Sequence, residues 1–182
     1  MKSLLREILI TAVSAVIIFF VIQGTVQTFV IVMSSMEPNF HDGQRLLVNK
    51  AVYIFGEPNR GDVVIFKAPN GRQGDYIKRV IGLPGDTIEV KNRAVYVNGS
   101  KLNEPYIKSP PRYTLEPQKI PEDNYFVLGD NRDNSNDSHT GWTVPQEDII
   151  GKAWISTWPP DVWGIIPVYH PLVEELASSA IN

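Results

Sequence analysis

Residues 76–97 read YIKRVIGLPGDTIEVKNRAVYV and contain three short apolar runs separated by turn residues. The runs at 87–90 and 94–97 flank residues 91–93, a spacing that predicts a short β-hairpin. Glycine, proline and aspartate between residues 82 and 86 predict a turn. This part of the chain therefore predicts short strands joined by turns.

The same pattern continues over most of the chain beyond residue 25. Short runs rich in β-branched and aromatic residues predict further strands. These lie at residues 26–32, 46–48, 62–66, 76–81, 125–128 and 152–158. The 13 glycines and 14 prolines among 182 residues favour many turns over a helical bundle. The expected fold class is mainly β, with one short amphipathic helix near the C-terminus at residues 171–178.

The N-terminal segment predicts one transmembrane helix. Lys2 and Arg6 precede a stretch without charged side chains that extends from Ile8 to Met36. A span needs about 20 apolar residues, and its backbone must be helical in hydrocarbon. We expect a helix from about residue 4 to residue 26, with residues 8–26 as the anchor.

The basic residues before this segment favour a cytoplasmic N-terminus for residues 1–7. Residues 27–182 would then form an extracytoplasmic domain. A cleaved signal peptide and a buried helix of a soluble protein are the alternative readings of the same segment.

Composition excludes several functional classes. The formal net charge of −3 argues against a nucleic-acid partner, and the absence of cysteine excludes thiol nucleophiles and cysteine-bound zinc. The three histidines lack metal-ligand spacing. Asp133, Ser135 and Asp137 alternate as in a calcium loop, but Ser138 and Val144 stand where that loop needs Gly and Glu. We therefore expect neither a metal nor a cofactor.

Three polar segments interrupt the apolar runs, at residues 34–38, at Lys78 and at residues 129–139. Serines directly after an anchor can simply cap or turn the chain. A lysine in an apolar strand usually extends its ammonium to a sheet edge. If it is buried, however, its pKa falls and its neutral amine can act as a base.

These segments together resemble the type I signal peptidase family, over nearly the whole chain from the anchor to about Trp158. Four motifs occur in the family's order, at residues 35–38 (SMEP), 60–64 (RGDVV), 78–86 (KRVIGLPGD) and 129–135 (GDNRDNS). The resemblance implies a β-sheet catalytic ectodomain of the signal-peptidase/LexA-like fold behind one transmembrane helix. It also implies a serine endopeptidase that removes signal peptides from exported preproteins at the outer face of the cell membrane.

The resemblance also implies roles for individual residues. Ser35 matches the nucleophile, Lys78 the general base, and Ser135 a serine that hydrogen-bonds the lysine and orients it. Arg79 and Asp130 match a supporting ion pair. A lysine at its usual pKa of ~10.4 is neutral in only roughly 1 in 10³ molecules at neutral pH. Lys78 should therefore be desolvated by apolar neighbours.

The resemblance also implies residues that line the substrate pockets. At two positions the sequence departs from the family pattern. The residues matched to the substrate pockets are Ile31, Met36, Tyr76 and Ile77. Met33 stands where the family usually has Gly or Ser, so an oxyanion-directed hydroxyl is absent there. His139 stands where an arginine commonly pairs with the aspartate matched by Asp137, so this pairing is expected to be weaker or different.

Two rival functions follow from the same residues. One is a LexA-like autoprotease, against which the uncharged N-terminal segment counts. The other is a catalytically impaired, membrane-tethered module that binds exported polypeptides, for which Met33 is the main argument. The combination of Ser35, Lys78 and Ser135 favours the enzyme, because a binding module has no need of a base beside a hydroxyl.

Overall fold

A computed structural model of the chain describes residues 2–54, 56–69 and 71–169. The helix α1 (Lys2–Thr25) comes first, and its segment Arg6–Thr25 has a mean hydropathy of 2.3 with no residue buried against the rest of the protein. By length and composition, α1 is sufficient to cross a membrane. The predicted helix is confirmed to within two residues at each end, whereas the one expected at 171–178 lies outside the described residues.

Strands are the predominant regular secondary structure beyond α1, which confirms the mainly β fold class. They are β1 (Val26–Val30), β2 (Arg45–Asn49), β3 (Val63–Lys67), β4 (Asp75–Gly82), β5 (Thr87–Lys91), β6 (Ala94–Val97), β7 (Ser100–Lys101), β8 (Leu115–Lys119), β9 (Asn124–Leu128), β10 (Val144–Pro145), β11 (Ile149–Trp158) and β12 (Gly164–Ile165). Single-turn 3₁₀ helices lie at Ala51–Tyr53, Arg132–Asn134, Ser138–Thr140, Gln146–Asp148 and Pro160–Val162.

The strands form two antiparallel sheets. The larger has the order β1-β2-β11-β3-β4-β9-β10, with β12 beside β11, and the smaller has the order β7-β6-β5-β8. All strands expected from the sequence are present with ends shifted by at most three residues. The short strands β7, β10 and β12 were not expected, and neither was β8, whose Pro117 is tolerated because β8 is an edge strand.

The hairpin predicted between β5 and β6 is confirmed with a tighter turn than expected. Lys91 pairs with Ala94, so only Asn92 and Arg93 form the loop. Both have positive φ, at 50° and 60°, as a type I′ turn requires. The backbone twist of this turn matches the right-handed twist of the strands it joins.

Strand β4 joins the three clusters of the hydrophobic core. Ile77 packs in the cluster under β1 and β2, Val80 in the cluster beside β9 and β10, and Ile81 in the cluster of the smaller sheet. On one side β4 pairs with β3 from Asp75 to Arg79, but on the other side its pairing with β9 begins only at Arg79. The first half of β4 therefore has one edge that is free of strand partners among the described residues.

Candidate active site

A cavity of about 740 Å³ opens at the free edge of β4. One wall is apolar and comes from the end of β1, the residues that follow it and Tyr76. The other wall is polar and comes from residues 73–75 and 133–136. Ser35 and Lys78 lie on the cavity surface between the two walls. The structure thus brings the first, second and third polar segments of the sequence to one place.

Ser35 and Lys78 are in direct contact in this cavity. The Nζ of Lys78 lies 2.7 Å from the Oγ of Ser35 and 2.9 Å from the carbonyl oxygen of Ile77. Lys78 is only 4% exposed. Both partners of its amine are neutral, and no carboxylate of the described residues forms an ion pair with it.

Burial changes the protonation of this lysine. Desolvation lowers the pKa of Lys78 to about 8, and the charges of Asp137 and Asp130 act in the opposite direction but do not cancel it. With this pKa, about one Lys78 in ten is neutral at pH 7. The expected desolvation by apolar neighbours is therefore what lowers the pKa of this amine.

Two asparagines hold the backbone that carries Ser35. The Asn131 N–H donates to the Ser35 carbonyl at 3.0 Å, and the Asn131 side chain donates to the Ser34 carbonyl at 3.1 Å. The Asn134 amide donates to Ser34 Oγ at 2.9 Å. Ser34 lies beyond the end of β1 and lines the cavity. These asparagines lie in the 129–135 motif, but their contacts with residues 34 and 35 are long-range and were missed.

Gly129 permits the close approach of the same segments. A Cβ at this position would lie 2.5 Å from the Ser35 carbonyl oxygen and in collision with the Ser135 Oγ. Any larger residue would push the 129–135 loop away from Ser35. The glycine is therefore required by packing against the site.

The expected hydrogen bond between Ser135 and Lys78 is not formed in this structure. The Ser135 hydroxyl is buried, lines the cavity and has no hydrogen-bond partner among the described residues. An unpaired buried hydroxyl costs free energy. Its orienting role therefore stays a prediction.

Arg79 and Asp130 form a buried ion pair beside Lys78. Two bonds join the guanidinium and the carboxylate, at 2.8 and 2.7 Å, with exposures of 1% and 0%. Arg79 also donates to the Gly61 carbonyl, and its guanidinium lies 4.3 Å from the ring centre of Tyr106. Asn39 donates to Asp130 Oδ2 at 2.7 Å. The ion pair implied by the resemblance is thus present, and both of its partners make further hydrogen bonds.

A second buried pair stiffens the same loop and was not anticipated. Arg132 is fully buried and makes two bonds to Glu104, at 2.8 and 2.5 Å. Its Nε donates to the Gly129 carbonyl at 3.0 Å. Nothing in the sequence around Glu104 indicated a partner 28 residues away.

His139 pairs with Asp137 despite the departure from the family pattern. Its Nδ1 lies 2.6 Å from the buried carboxylate, and its ring stacks on Tyr113 at 4.1 Å. Asp137 also accepts the Gly129 N–H at 2.9 Å. The contact is short and supported by stacking, but a histidine carries a charge only when it is protonated, so the expected weakening of this pair stays a prediction.

The alternating acidic residues of this loop are occupied by other contacts. Asp133 accepts the Arg112 N–H at 2.9 Å, while Asp137 is fully buried. Across residues 2–54, 56–69 and 71–169, no cluster of three His, Asp or Glu side chains could hold a metal ion.

The residues matched to the substrate pockets divide into two groups. Tyr76 and Ile77 line the cavity, as expected. Ile31 and Met36, at 1% and 0% exposure, pack into the core cluster and are not among the lining residues. The apolar wall of the cavity is formed by the neighbouring Val30, Val32 and Met33, and the substrate-binding role of Ile31 and Met36 stays a prediction.

Met33 lies on the cavity wall in a strained conformation. Its φ is +79° and its side chain is 65% exposed. Positive φ is uncommon for a residue with a Cβ and favours glycine. This backbone conformation gives a physical reason for the glycine that the family often has here.

Comparisons with known proteins identify the family of this chain. The family model described as signal peptidase, peptidase S26, matches residues 4–158. A probable signal peptidase I-2 from Synechocystis is 47% identical over 132 residues, covering 69% of this chain and 60% of the relative. Signal peptidase I from Leptolyngbya laminosa is 46% identical over 132 residues, covering 69% and 65%. These matches span less than two thirds of the length of either relative.

Two further matches differ in coverage. Signal peptidase IB from Staphylococcus aureus is 38% identical over 176 residues, covering 87% of this chain and 91% of the relative. A crystal structure of a signal peptidase I from Enterococcus faecalis has 33% identity and a TM-score of 0.44, covering 53% and 97%. On the extent of the family match and the identity to the Staphylococcus relative, the chain belongs to the signal peptidase, peptidase S26 family.

Proposed function

We propose that this chain is a membrane-bound serine endopeptidase that removes N-terminal signal peptides from exported preproteins. Ser35 is the nucleophile and Lys78 the general base. The observation that carries the proposal is the 2.7 Å contact between Lys78 Nζ and Ser35 Oγ in a cavity wall, with the amine 4% exposed and its pKa lowered to about 8.

The reaction follows from this geometry. Neutral Lys78 takes the Ser35 hydroxyl proton while Oγ bonds to the carbonyl carbon of the scissile peptide. The carbon–nitrogen bond then breaks, and Lys78 returns the proton to the leaving amine. The same amine then takes a proton from water, whose oxygen bonds to the acyl carbon. The bond from this carbon to Ser35 Oγ breaks, Lys78 returns the proton to Oγ, and the signal peptide is released.

The oxyanion formed in this reaction needs a donor. The Ser35 N–H has no acceptor among the described residues and is free to donate to the developing charge. The Arg79–Asp130 pair supports the site by fixing the position of β4. Ser135 would turn its unpaired hydroxyl toward Lys78 when substrate fills the cavity, which removes the cost of leaving it unpaired.

The substrate is an extended segment with small side chains before the scissile bond. The free edge of β4 and the outer edge of β1 both offer unpaired backbone groups beside the cavity. Met33 and Tyr76 reduce the room for side chains next to Ser35. Backbone pairing would thus give affinity, and the narrowed cavity would select for small residues.

The lipid bilayer is the second partner. Residues 8–26 form the single membrane anchor, with residues 1–7 cytoplasmic and the catalytic domain, residues 27–182, on the outer face. Residues 26–34 alone separate α1 from Ser35, at most about 36 Å when fully extended. Trp158, Trp163 and Ile165 are 51%, 66% and 76% exposed and suit a membrane–water interface.

Cleavage of a preprotein by the detergent-solubilised full chain tests this proposal, beside Ser35→Ala and Lys78→Ala. We expect cleavage after a small residue by the parent and loss in both variants. Lys119→Ala, at an exposed lysine of the smaller sheet, is the matched control and should cleave like the parent. Full activity of Lys78→Ala would refute the mechanism, and preprotein binding without cleavage would favour the impaired binding module instead.

A further inference from the structure

The strained backbone of Met33 lies close in sequence to the proposed nucleophile, Ser35. The other described non-glycine residues with positive φ are Asn92, Arg93, Asn98 and Asp123, and all four lie in tight turns. Met33 instead lies two residues before Ser35, in a segment that lines the cavity. A strained conformation persists only where its surroundings hold it, and such positions often serve function.

The side chain of Asp42 stabilises this backbone conformation. The Met33 N–H donates to Oδ1 of Asp42 at 2.8 Å. Two backbone bonds between Ile31 and residues 43 and 44, both 2.9 Å, close the base of this loop and bring Asp42 back to Met33. Asp42 forms no ion pair with any described residue, so its contact with Met33 is not shared with a cation.

We propose that Asp42 is a positioning residue for the peptidase reaction, and this inference rests on the proposed function. By binding the Met33 N–H, the Asp42 carboxylate keeps the backbone of residues 33–35 in its strained conformation. That conformation presents the Ser35 hydroxyl to Lys78 and leaves the Ser35 N–H free. Asp42 acts only through Met33, because it is not among the cavity-lining residues.

A double-mutant cycle tests the strain argument directly. Asp42→Ala should lower kcat about tenfold and change KM by less than about twofold, since the nucleophile is misplaced rather than the substrate lost. Asp42→Asn keeps an acceptor oxygen and should retain activity within about threefold of the parent. In a Met33→Gly background, Asp42→Ala should cost at most about twofold, because glycine adopts this φ without strain.

A second readout does not depend on catalysis. Amide hydrogen exchange at Met33 should accelerate about tenfold in Asp42→Ala and return toward the parent rate in Asp42→Asn. Asp161→Ala, which removes an exposed carboxylate away from the cavity, is the matched control and should change neither exchange nor kcat.

The outcomes separate this inference from the proposed function. If the parent cleaves through Ser35 and Lys78 while Asp42→Ala matches it in kcat, the positioning role is refuted and the proposed function stands. An equal loss from Asp42→Ala in the parent and in the Met33→Gly background also refutes it, because strain would then not be the cause. If the parent does not cleave at all, the proposed function fails and the positioning role falls with it.

Discussion

The two faces of β4 carry neighbouring buried cationic side chains, of which one has a carboxylate partner and the other has none. On one face, Arg79 is bound through two bonds to the buried carboxylate of Asp130. On the other face, the Lys78 amine bonds to the neutral oxygens of Ser35 and Ile77 and has no carboxylate partner among the described residues. Both side chains are less than 5% exposed. Burial is therefore the same on the two faces, and only the compensation of charge differs.

The presence or absence of a carboxylate partner separates a cation with a structural role from an amine that can act as a base. A buried charge with a hydrogen-bonded counter-ion stays charged and holds the fold together. A buried amine without a counter-ion loses its proton near neutral pH and becomes a base. The residue types agree with these roles, because a guanidinium cannot be deprotonated in proteins whereas an ammonium can.

The largest effect should come from removing the uncompensated cation. Lys78→Met should lower kcat/KM by at least about 10³-fold, because the base is lost. The same change should stabilise the fold by up to about 3 kcal/mol below pH 8, the free energy that corresponds to a pKa lowered from 10.5 to about 8. Preprotein cleavage and urea unfolding measure the two effects.

The stability gain has a defined pH window. Below about pH 8 the parent buries a charged Lys78, and the variant avoids that cost. Between pH 8 and 10.5 the folded parent releases the proton that the unfolded chain still holds, so the parent gains stability and the difference shrinks. A gain that stays constant up to pH 10.5 would contradict the desolvation argument.

Breaking the compensated pair should have the opposite consequence for stability. Asp130→Ala leaves the Arg79 charge buried and unpaired and should destabilise the fold by about 3–5 kcal/mol, measured by urea unfolding at pH 7. The exposed pair of Lys67 and Asp148 is the matched control, with side chains 65% and 37% exposed. Asp148→Ala should cost less than about 1 kcal/mol. Equal costs at the two sites would refute the distinction.

A substitution at Gly129 tests the packing around Ser35 on the Lys78 face of β4 alone. Gly129→Ala places a Cβ against the Ser35 carbonyl and the Ser135 hydroxyl, so it should displace the loop that holds Ser35. We expect kcat to fall by about 10²-fold, the usual result of moving a reacting group by about 1 Å. Gly24→Ala has no atom within 4 Å of the added Cβ and should leave kcat unchanged.

The smallest expected effect is a shift in pH dependence. The kcat/KM of the parent should fall about tenfold per pH unit below an inflection near pH 8, where Lys78 becomes protonated. Because the Asp137 charge raises the pKa of Lys78, Asp137→Asn should move this inflection to lower pH. Asp161→Asn should leave it in place, and a shift to higher pH in Asp137→Asn would contradict the electrostatics.

Local pattern was sufficient to predict the N-terminal helix and the longer strands, but not the arrangement of the strands into two sheets. The helix and these strands followed from hydrophobic runs and turn residues, because burial of apolar side chains and backbone geometry are encoded locally. Strand β8 was not predicted because Leu115–Lys119 contains an edge-strand proline and few apolar residues.

The site was predictable in its chemistry and less so in its contacts. Ser35, Lys78 and the Arg79–Asp130 pair follow from motif resemblance, but the roles of Asn131 and Asn134 depend on contacts across about 100 residues of sequence. Ile31 and Met36 illustrate a related limit, since the motif places them near Ser35 in sequence but does not show that both side chains are buried in the core.

The smaller sheet has a consequence for how this protein can vary. It leaves the larger sheet at the end of β4 and returns at the start of β9, and these two strands are neighbours. Residues 83–123 therefore form a closed excursion whose two ends are held together by the main sheet. The outer turns of this excursion can lengthen or take on new surface loops as long as Glu104 and Tyr106 keep their contacts with Arg132 and Arg79. The smaller sheet can thus vary at its surface while the contact between Ser35 and Lys78 keeps its geometry.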